Sequence, residues 1–595
     1  MAGFLWIILR RGWKDPKTPR TLRTAAEFAQ KGPTTKGSSA HSAACLGALR
    51  FLRTAIAALT LATQGLLLHN ARMKNAWKHV ALLVVISSLA QAQSSKRIPC
   101  ESLSQIALPE AKVGSAESLQ AGAFPAPPNL PPWLAGEPAF YKTLPAFCRV
   151  QVQGKPSADS DIRIEVWMPN DWNGKLQGIG NGGFAGQLDY HNMAVAISHG
   201  YAAVATDTGH TGEAIDARWA LNHPEKIKDF GYRAIHQMTL VAKASAAAFY
   251  GKAPQHSYFA GCSNGGRQAL MEAQRFPDDY DGILAGAPAN YWTHLLASAL
   301  WDAQATAMDG ASYIPAAKLP AIAKAVNAAC DAQDGVSDGV LNDPRQCRLD
   351  PASLLCKTEN TDACLTVPQA AALKKLYDGA HDTTGQVFPG FLPGAEAGPG
   401  GWGLWITGQE PGRSLLFAFG YGFFADMVYE DPQWSFKTAD FGQAVKDADK
   451  KAETFNATDP DLSRFMKHGS KLIVYHGWND PAISAVNSVD YFNSVEKAMD
   501  ARNADSFLRL YMAPGVQHCS GGPGPDSFDE AMQSALELWV EKNNAPAEIV
   551  ATKYEGEGAA KTVKATRPLC PYPQAAKYKG SGDTNQAASF VCAGK

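Results

Sequence analysis

This sequence has little charge and almost no imbalance of it. Asp, Glu, Lys and Arg make up 19% of its 595 residues, and the formal net charge is −1. A basic nucleic-acid binder needs a cationic face and a disordered acidic tail needs an anionic excess, so both are excluded. No internal repeat is present. A clean apolar run of bilayer length is also lacking. Leu49 to Leu68 comes nearest, but Arg50, Arg53 and Gln64 interrupt it. Cysteine is sparse and odd in number, eleven in all, so one must stand apart if the rest pair.

The N-terminal part does not read as fold. Met73-Lys-Asn-Ala-Trp-Lys-His79 is a short basic start, Val80 to Leu89 an apolar run too short to span a bilayer, and Ala90-Gln-Ala92 fits a small-residue cleavage site. Residues 73–92 therefore read as a secretory signal peptide, which implies a secreted or periplasmic protein. Residues 1–72, rich in Arg, Ser and Ala, have no place before such a signal. They read as an extension from a start codon assigned too far upstream, or alternatively as a membrane-tethering leader. Cys45 lies in that extension, and the ten remaining cysteines can all pair in an oxidising compartment. Neighbouring positions suggest Cys330–Cys347, Cys356–Cys364 and Cys570–Cys592, leaving Cys100–Cys148 and Cys262–Cys519.

The rest is long enough for a large core with an inserted subdomain. It is organised around Ser257-Tyr-Phe-Ala-Gly-Cys-Ser-Asn-Gly-Gly-Arg-Gln-Ala-Leu-Met-Glu-Ala-Gln-Arg-Phe276. A short buried strand ending at Ala260 is followed by a helix from Gly265 that Pro277 stops. Between them Gly261-Cys-Ser-Asn-Gly265 fits the G-x-S-x-G nucleophile elbow, a strained turn that lifts Ser263 Oγ towards the first helical N–H groups. Further strands are expected at Arg149–Pro169 (an antiparallel pair), Lys175–Gly180, Tyr201–Thr206, Ile283–Pro288, Lys471–Gly477 and Phe507–Met512. Long helices are expected at Tyr232–Phe249 and Asp526–Lys542. Gln93 to Pro145 reads as a Pro- and Ala-rich segment wrapped on the surface. This alternation predicts an α/β protein of the α/β-hydrolase class, with a mostly parallel sheet covered by helices. The catalytic domain would comprise 93–289 and 468–595. The rhythm fails over 290–467, an aromatic-rich stretch that reads as a lid domain.

An elbow serine needs a base and a residue that orients the base. In an α/β-hydrolase these follow in the order Ser, acid, His, each after a late strand. Asp480, after Tyr475-His-Gly-Trp-Asn, fits the acid, and His518, after Ala513-Pro-Gly-Val-Gln, fits the base. The competing readings are that Asp480 caps the helix after Pro481 and that His518 is a plain loop histidine. His476 is the rival base, but it precedes the acid. Cys262 adjoins the serine and Cys519 the histidine, so a bond between them would clamp nucleophile to base. The oxyanion donors would be the N–H groups of Asn264 and of Gly183, in the strand end Asn181-Gly-Gly183. Trp405, Phe419 and Phe423 are the candidates for stacking on a substrate ring, the alternative being ordinary lid core. Asp331, Asp334, Asp338 and Asp343 lie along a glycine-broken loop whose hard oxygens suit Ca²⁺ in a structural role.

Together these residues resemble the tannase and feruloyl esterase family. The resemblance rests on Gly261-Cys-Ser-Asn-Gly-Gly-Arg267, Tyr280-Asp-Gly-Ile-Leu-Ala-Gly-Ala-Pro288, Tyr475-His-Gly-Trp-Asn-Asp480 and Gln517-His-Cys-Ser-Gly-Gly-Pro-Gly524, with Arg567-Pro-Leu-Cys-Pro-Tyr-Pro573 and Lys579-Gly-Ser-Gly-Asp583 near the end. It implies Ser263, Asp480 and His518 as the triad, Cys262–Cys519 as the bridging disulfide, and Asp331, Asp334, Val336, Asp338 and Val340 as calcium ligands. The substrate it implies is a small aromatic ester, free or attached to plant polysaccharide or tannin. The family also includes hydrolases of mono(2-hydroxyethyl) terephthalate. Those carry Glu after the serine where this chain has Asn264, and Arg413 does not align with their carboxylate-holding lid arginine. The expectation is thus a serine esterase of phenolic carboxylic esters. The alternatives are a terephthalate half-ester hydrolase, a peptidase or amidase on the same triad, and a non-catalytic phenolic- or carbohydrate-binding protein.

Overall fold

Nine strands form one sheet: β1 (Ala111–Leu119), β2 (Phe147–Gly154), β3 (Ile162–Pro169), β4 (Lys175–Ile179), β5 (Ala202–Thr206), β6 (His256–Cys262), β7 (Gly282–Gly286), and, after the hairpin β8 (Gly379–Asp382) and β9 (Gly385–Pro389), β10 (Lys471–Gly477) and β11 (Leu508–Ala513). Their spatial order is β1-β2-β3-β5-β4-β6-β7-β10-β11. The pairs from β1 to β5 are antiparallel, and every pair from β5 onward is parallel. This computed structural model describes residues 97–594, apart from 129 and 557–559. The expected extension at 1–72, Cys45 within it, and the signal peptide at 73–92 lie outside the described residues.

The composition of the parallel strands explains their position. β5 (Ala-Ala-Val-Ala-Thr) and β7 (Gly-Ile-Leu-Ala-Gly) are buried at every residue, as strands covered on both faces must be. Alternate residues serve opposite faces. Ile164, Val166, Val474 and Leu510 join a core with helices α1 (Ala234–Tyr250) and α2 (Asn264–Arg275). Trp167, Ile473, Tyr475 and Tyr511 join the core on the other face, which includes Leu536 and Trp539. α1 ends on Gly251, whose φ of 70° closes the last turn, and α2 ends at Arg275, with Phe276 as its cap just before Pro277.

Strands of the main sheet stop at Gly286 and resume at Lys471. The intervening chain includes α3 (Trp292–Thr306), the hairpin β8–β9 and α4 (Leu415–Gly422). An aromatic cluster of Phe184, Trp292, Phe423, Phe424 and Phe455 joins this segment to the loop after β4. Past β10 follow α5 (Val486–Met499) and α6 (Asp529–Lys542), then the two-stranded pairs β12 (Ile549–Glu555) with β13 (Thr562–Leu569) and β14 (Ala575–Tyr578) with β15 (Phe590–Ala593).

Three local expectations change. The segment before Pro145 is not merely a surface wrap, because it supplies edge strand β1 and buries Leu103, Tyr141 and Leu144. The elbow strand runs to Cys262 rather than Ala260, since Gly261 and Cys262 still pair with Ala285 and Gly286. The helix then starts at Asn264. The five disulfides pair as expected: Cys100–Cys148, Cys262–Cys519, Cys330–Cys347, Cys356–Cys364 and Cys570–Cys592.

One buried acid yields a stability prediction. Glu272 of α2 is 1% exposed, and among the described residues no donor reaches either carboxylate oxygen. Asp279 faces it and itself accepts from His236 Nδ1 at 2.6 Å. Burial first, then the Asp279 charge, pushes the Glu272 carboxyl well above its usual range. A retained proton supplies the missing donor. The unfolded chain releases that proton near pH 4.3, so wild-type stability should fall as pH rises above this value. Glu272→Gln keeps the donor without the titration. Thermal melts at pH 5 and pH 8 should show the variant gaining on wild type by about 1 kcal/mol or more at the higher pH; a constant difference would exclude the proton.

Candidate active site

The elbow is the strained point of the chain. Ser263 has φ 65° and ψ −123°, an unfavourable region for a residue with a Cβ. Its surroundings hold it there. Ser263 N–H donates to Gly286 O at 2.9 Å, and Ser263 O accepts from Arg267 N–H and Ala289 N–H, both at 3.0 Å. Gly261 is required by closeness, since a Cβ there would stand 2.7 Å from the Gly265 carbonyl.

Asp480 and His518 lie in the loops that follow β10 and β11. Asp480 Oδ2 accepts from His518 Nδ1 at 2.7 Å, which leaves Nε2 of that ring as the base position. Asp480 Oδ1 accepts from Ala482 N–H at 2.7 Å and Ile483 N–H at 3.0 Å. Asp480 is therefore both a cap of the following turn and the partner of His518. Burial alone would raise its pKa; the His518 charge and the bonds from His476 and His518 outweigh it and hold the carboxyl below the usual range. Ser263 Oγ and His518 Nε2 are not hydrogen-bonded in this structure, and such contacts commonly close only on substrate. Cys262–Cys519 sets the two loops together, with Cα atoms 6.0 Å apart.

His476, the rival base, is fully buried. Its Nε2 lies 3.1 Å from the same Asp480 Oδ2, so it stands behind the acid.

The two residues expected to supply oxyanion donors lie on different elements. Asn264 is the first residue of α2, where an N–H has no partner in its own helix. Gly183, at φ 55°, lies in the loop after β4, and among the described residues its N–H has no acceptor. That loop is pinned at its root. Asn181 N–H donates to Gln268 Oε1 at 2.9 Å, Gln268 Nε2 donates to Asn181 Oδ1 at 3.2 Å, and Asn181 Nδ2 donates to Thr206 O at 2.8 Å. At its tip, buried His210 donates from Nε2 to Phe184 O at 2.8 Å. Burial lowers the His210 pKa to about 3, so this imidazole is neutral, and it stacks on Trp219 at 3.8 Å. Arg267 is fully buried and donates from Nε to Asn264 Oδ1 at 2.8 Å, from Nη1 to Gly231 O at 2.7 Å, and from Nη2 to Phe230 O at 3.1 Å. Gln268, His210 and Arg267 escaped sequence reasoning, although Arg267 and Gln268 directly follow the elbow.

Of the three aromatic candidates, two reach the site. The half-buried Trp405 places its ring edge-on to His518 at 4.8 Å, and Phe419 lies 6.4 Å from Trp405. Phe419 also approaches within 3.1 Å of the point where a Gly183 Cβ would sit. Phe423 does not belong with them. It is fully buried against Phe424 and Phe455, on the core side of its turn. Arg413 is exposed and faces Glu410 at 3.7 Å.

Residues 148–593 match the family described as tannase and feruloyl esterase. The chain belongs to that family. The tannase and feruloyl esterase family comprises carboxylic ester hydrolases, and the chain is an enzyme of this class. It is 39% identical to an uncharacterized esterase of Xanthomonas campestris, over 86% of this chain and 93% of that one. It is 35% identical to a probable feruloyl esterase of Arthroderma benhamiae, over 86% and 96% of the two chains. The crystal structure of feruloyl esterase B from Aspergillus oryzae superposes with a TM-score of 0.75 at 28% identity, covering 83% of this chain and 100% of that one. Tannin acyl hydrolase from Aspergillus niger, at 22% identity and TM-score 0.67, shares the fold.

The acidic loop lies away from the elbow in sequence and packs on the segment that carries His518. Val340 and Gly515 approach closely, with Val340 Cγ1 3.0 Å from where a Gly515 Cβ would stand. Asp331 Oδ1 accepts from Gly339 N–H at 2.9 Å, Asp334 Oδ1 from Val336 N–H at 2.9 Å, and Asp338 Oδ2 from Arg567 Nη2 at 2.7 Å. Burial and then the neighbouring Asp338 charge raise the Asp334 pKa. Half-buried Asp334 and the more exposed Asp338, which pairs with Arg567, sit on a loop of hard oxygen donors closed by Cys330–Cys347, the donor type that a divalent cation takes.

Proposed function

We propose that this enzyme is a secreted serine esterase that hydrolyses phenolic carboxylic esters, with feruloyl-type esters first among them. The observation that carries the proposal is the Asp480–His518 bond of 2.7 Å, on a loop tied by Cys262–Cys519 to the strained serine. His518 Nε2 takes the proton of Ser263, whose Oγ attacks the ester carbonyl. The N–H groups of Asn264 and Gly183 receive the oxyanion. His518 passes that proton to the departing alkoxide, the alcohol leaves an acyl-serine, and water deprotonated by His518 attacks it, releasing the acid as the proton returns to Ser263 Oγ. Trp405 and Phe419 offer ring faces to the acyl group between the base and the oxyanion loop. The names of the Arthroderma benhamiae and Aspergillus oryzae relatives, both at higher identity than the Aspergillus niger tannin acyl hydrolase, favour feruloyl esters over galloyl ones. Asn264, in place of Glu, disfavours terephthalate half-esters.

Initial rates on methyl ferulate, methyl gallate and mono(2-hydroxyethyl) terephthalate test the substrate. Methyl ferulate should dominate; a larger kcat/KM on either of the others would reassign it, and turnover of anilides alone would favour an amidase. Mature N-terminal sequencing tests secretion, and a start far from Gln93 would count against it.

Gly183→Ala tests the oxyanion loop. The φ of 55° and a Cβ 2.4 Å from Ala214 O would force this loop to move. Loss of one oxyanion donor should lower kcat by about 10²-fold with little change in KM, and an unchanged kcat would remove Gly183 from that role.

Calcium would be held by the carboxylates of Asp331, Asp334 and Asp338 and the carbonyls of Val336 and Val340. When bound it would supply local structure, bracing the loop beneath the His518 segment. Chelation should lower the melting temperature and added Ca²⁺ should restore it. Asp334→Asn should abolish that response, and an equal response in the variant would exclude the site.

A further inference from the structure

The Asp480 carboxylate serves two imidazoles. His518 Nδ1 and His476 Nε2 converge on the same oxygen, Oδ2, at 2.7 and 3.1 Å, while Oδ1 is filled by two backbone N–H groups. His476 does not face solvent. Its partners determine its tautomer. Nε2 sits between two acceptors, Asp480 Oδ2 and Ile483 O at 3.2 Å, so Nε2 must carry hydrogen. Nδ1 lies 2.7 Å from Ser488 Oγ, whose hydroxyl then donates. A neutral His476 thus satisfies every group around it, in a chain running from the Ser488 hydroxyl through His476 to Asp480 and on to His518.

We propose that His476 is a positioning residue for the esterase reaction, holding the Asp480 carboxylate so that Oδ2 faces His518 and sharing that oxygen's charge. This rests on the triad reading given above. Two effects follow. The fixed carboxylate keeps the His518 proton on Nδ1, which leaves the Nε2 lone pair for Ser263. The second donor on Oδ2 also holds the carboxylate at a further point, so that the acceptor of the His518 Nδ1 hydrogen keeps its place. His476 touches neither Ser263 nor the oxyanion loop by hydrogen bonding, and its influence runs wholly through Asp480.

The test is kcat and KM on methyl ferulate for His476→Ala, His476→Gln and Ser488→Ala, with Ser263→Ala alongside. His476→Ala should lower kcat by about 10- to 100-fold, as loss of an outer orienting partner does elsewhere, with KM within about threefold. His476→Gln can place an amide N–H near Oδ2 and should recover most of the loss. Ser488→Ala removes a small side chain and should lower kcat by less, again with little change in KM, so it decides the matter if His476→Ala does not fold. A folded His476→Ala or Ser488→Ala with wild-type kcat would overturn the proposal. So would a loss confined to KM. A Ser263→Ala enzyme that retained full turnover would instead overturn the triad itself.

Discussion

Ser263→Ala is expected to lower kcat on methyl ferulate by about six orders of magnitude, with substrate affinity nearly unchanged. The size of the effect follows from how the serine is held. Its backbone sits at φ 65° only because Gly286, Arg267 and Ala289 bond it from three sides, and the alanine can adopt the same turn. The fold, Asn264, Gly183 and the Asp480–His518 pair would all remain, so the variant isolates the nucleophile. Turnover left over the uncatalysed rate would report the oxyanion donors and substrate binding alone. Stopped-assay rates at saturating substrate, with ligand binding measured separately, check both halves. A fall in affinity matching the fall in rate would mean that the serine binds rather than attacks.

Removing the Cys262–Cys519 bond by the double change Cys262→Ser/Cys519→Ser should have the largest effect on stability. The bond closes a loop of 257 residues, and in the chain-entropy model such a loop is worth about 5 kcal/mol. That is comparable with the whole stability of many domains. The rate should fall as well, by about 10²-fold if the His518 loop drifts by an ångström, although neither cysteine takes part in the chemistry. Urea unfolding followed by fluorescence measures the first effect and kcat the second. Equal stability would deny the cross-link its role in the fold, and equal kcat its role in aligning base with nucleophile.

The residues that were legible in the sequence are those whose neighbours along the chain define them. Gly261, Ser263 and Gly265 make a turn by themselves, and the strand-loop placement of Asp480 and His518 follows from their immediate flanks. What stayed hidden depends on partners far along the chain. Gln268 is one more polar helix residue until Asn181, 87 positions away, meets it. His476 reads as a competitor for the base until Ser488 and Asp480 fix its ring. Phe423 and Phe419 share one aromatic run, and the change to a wider helical turn at Phe423 leaves that ring in the core while Phe419 meets Trp405 and the Gly183 loop. Strand β1 has a mixed burial pattern and is defined by its pairing with β2.

The central claim is that esters are cleaved through Ser263. Titration with an aryl fluorophosphonate, followed by peptide mass mapping and assay on methyl ferulate, tests it most directly. One phosphonyl group per chain should appear on the peptide containing Ser263, with activity lost in proportion to its incorporation. Full turnover by the stoichiometrically labelled enzyme, or inactivation with the label on another residue, would contradict it.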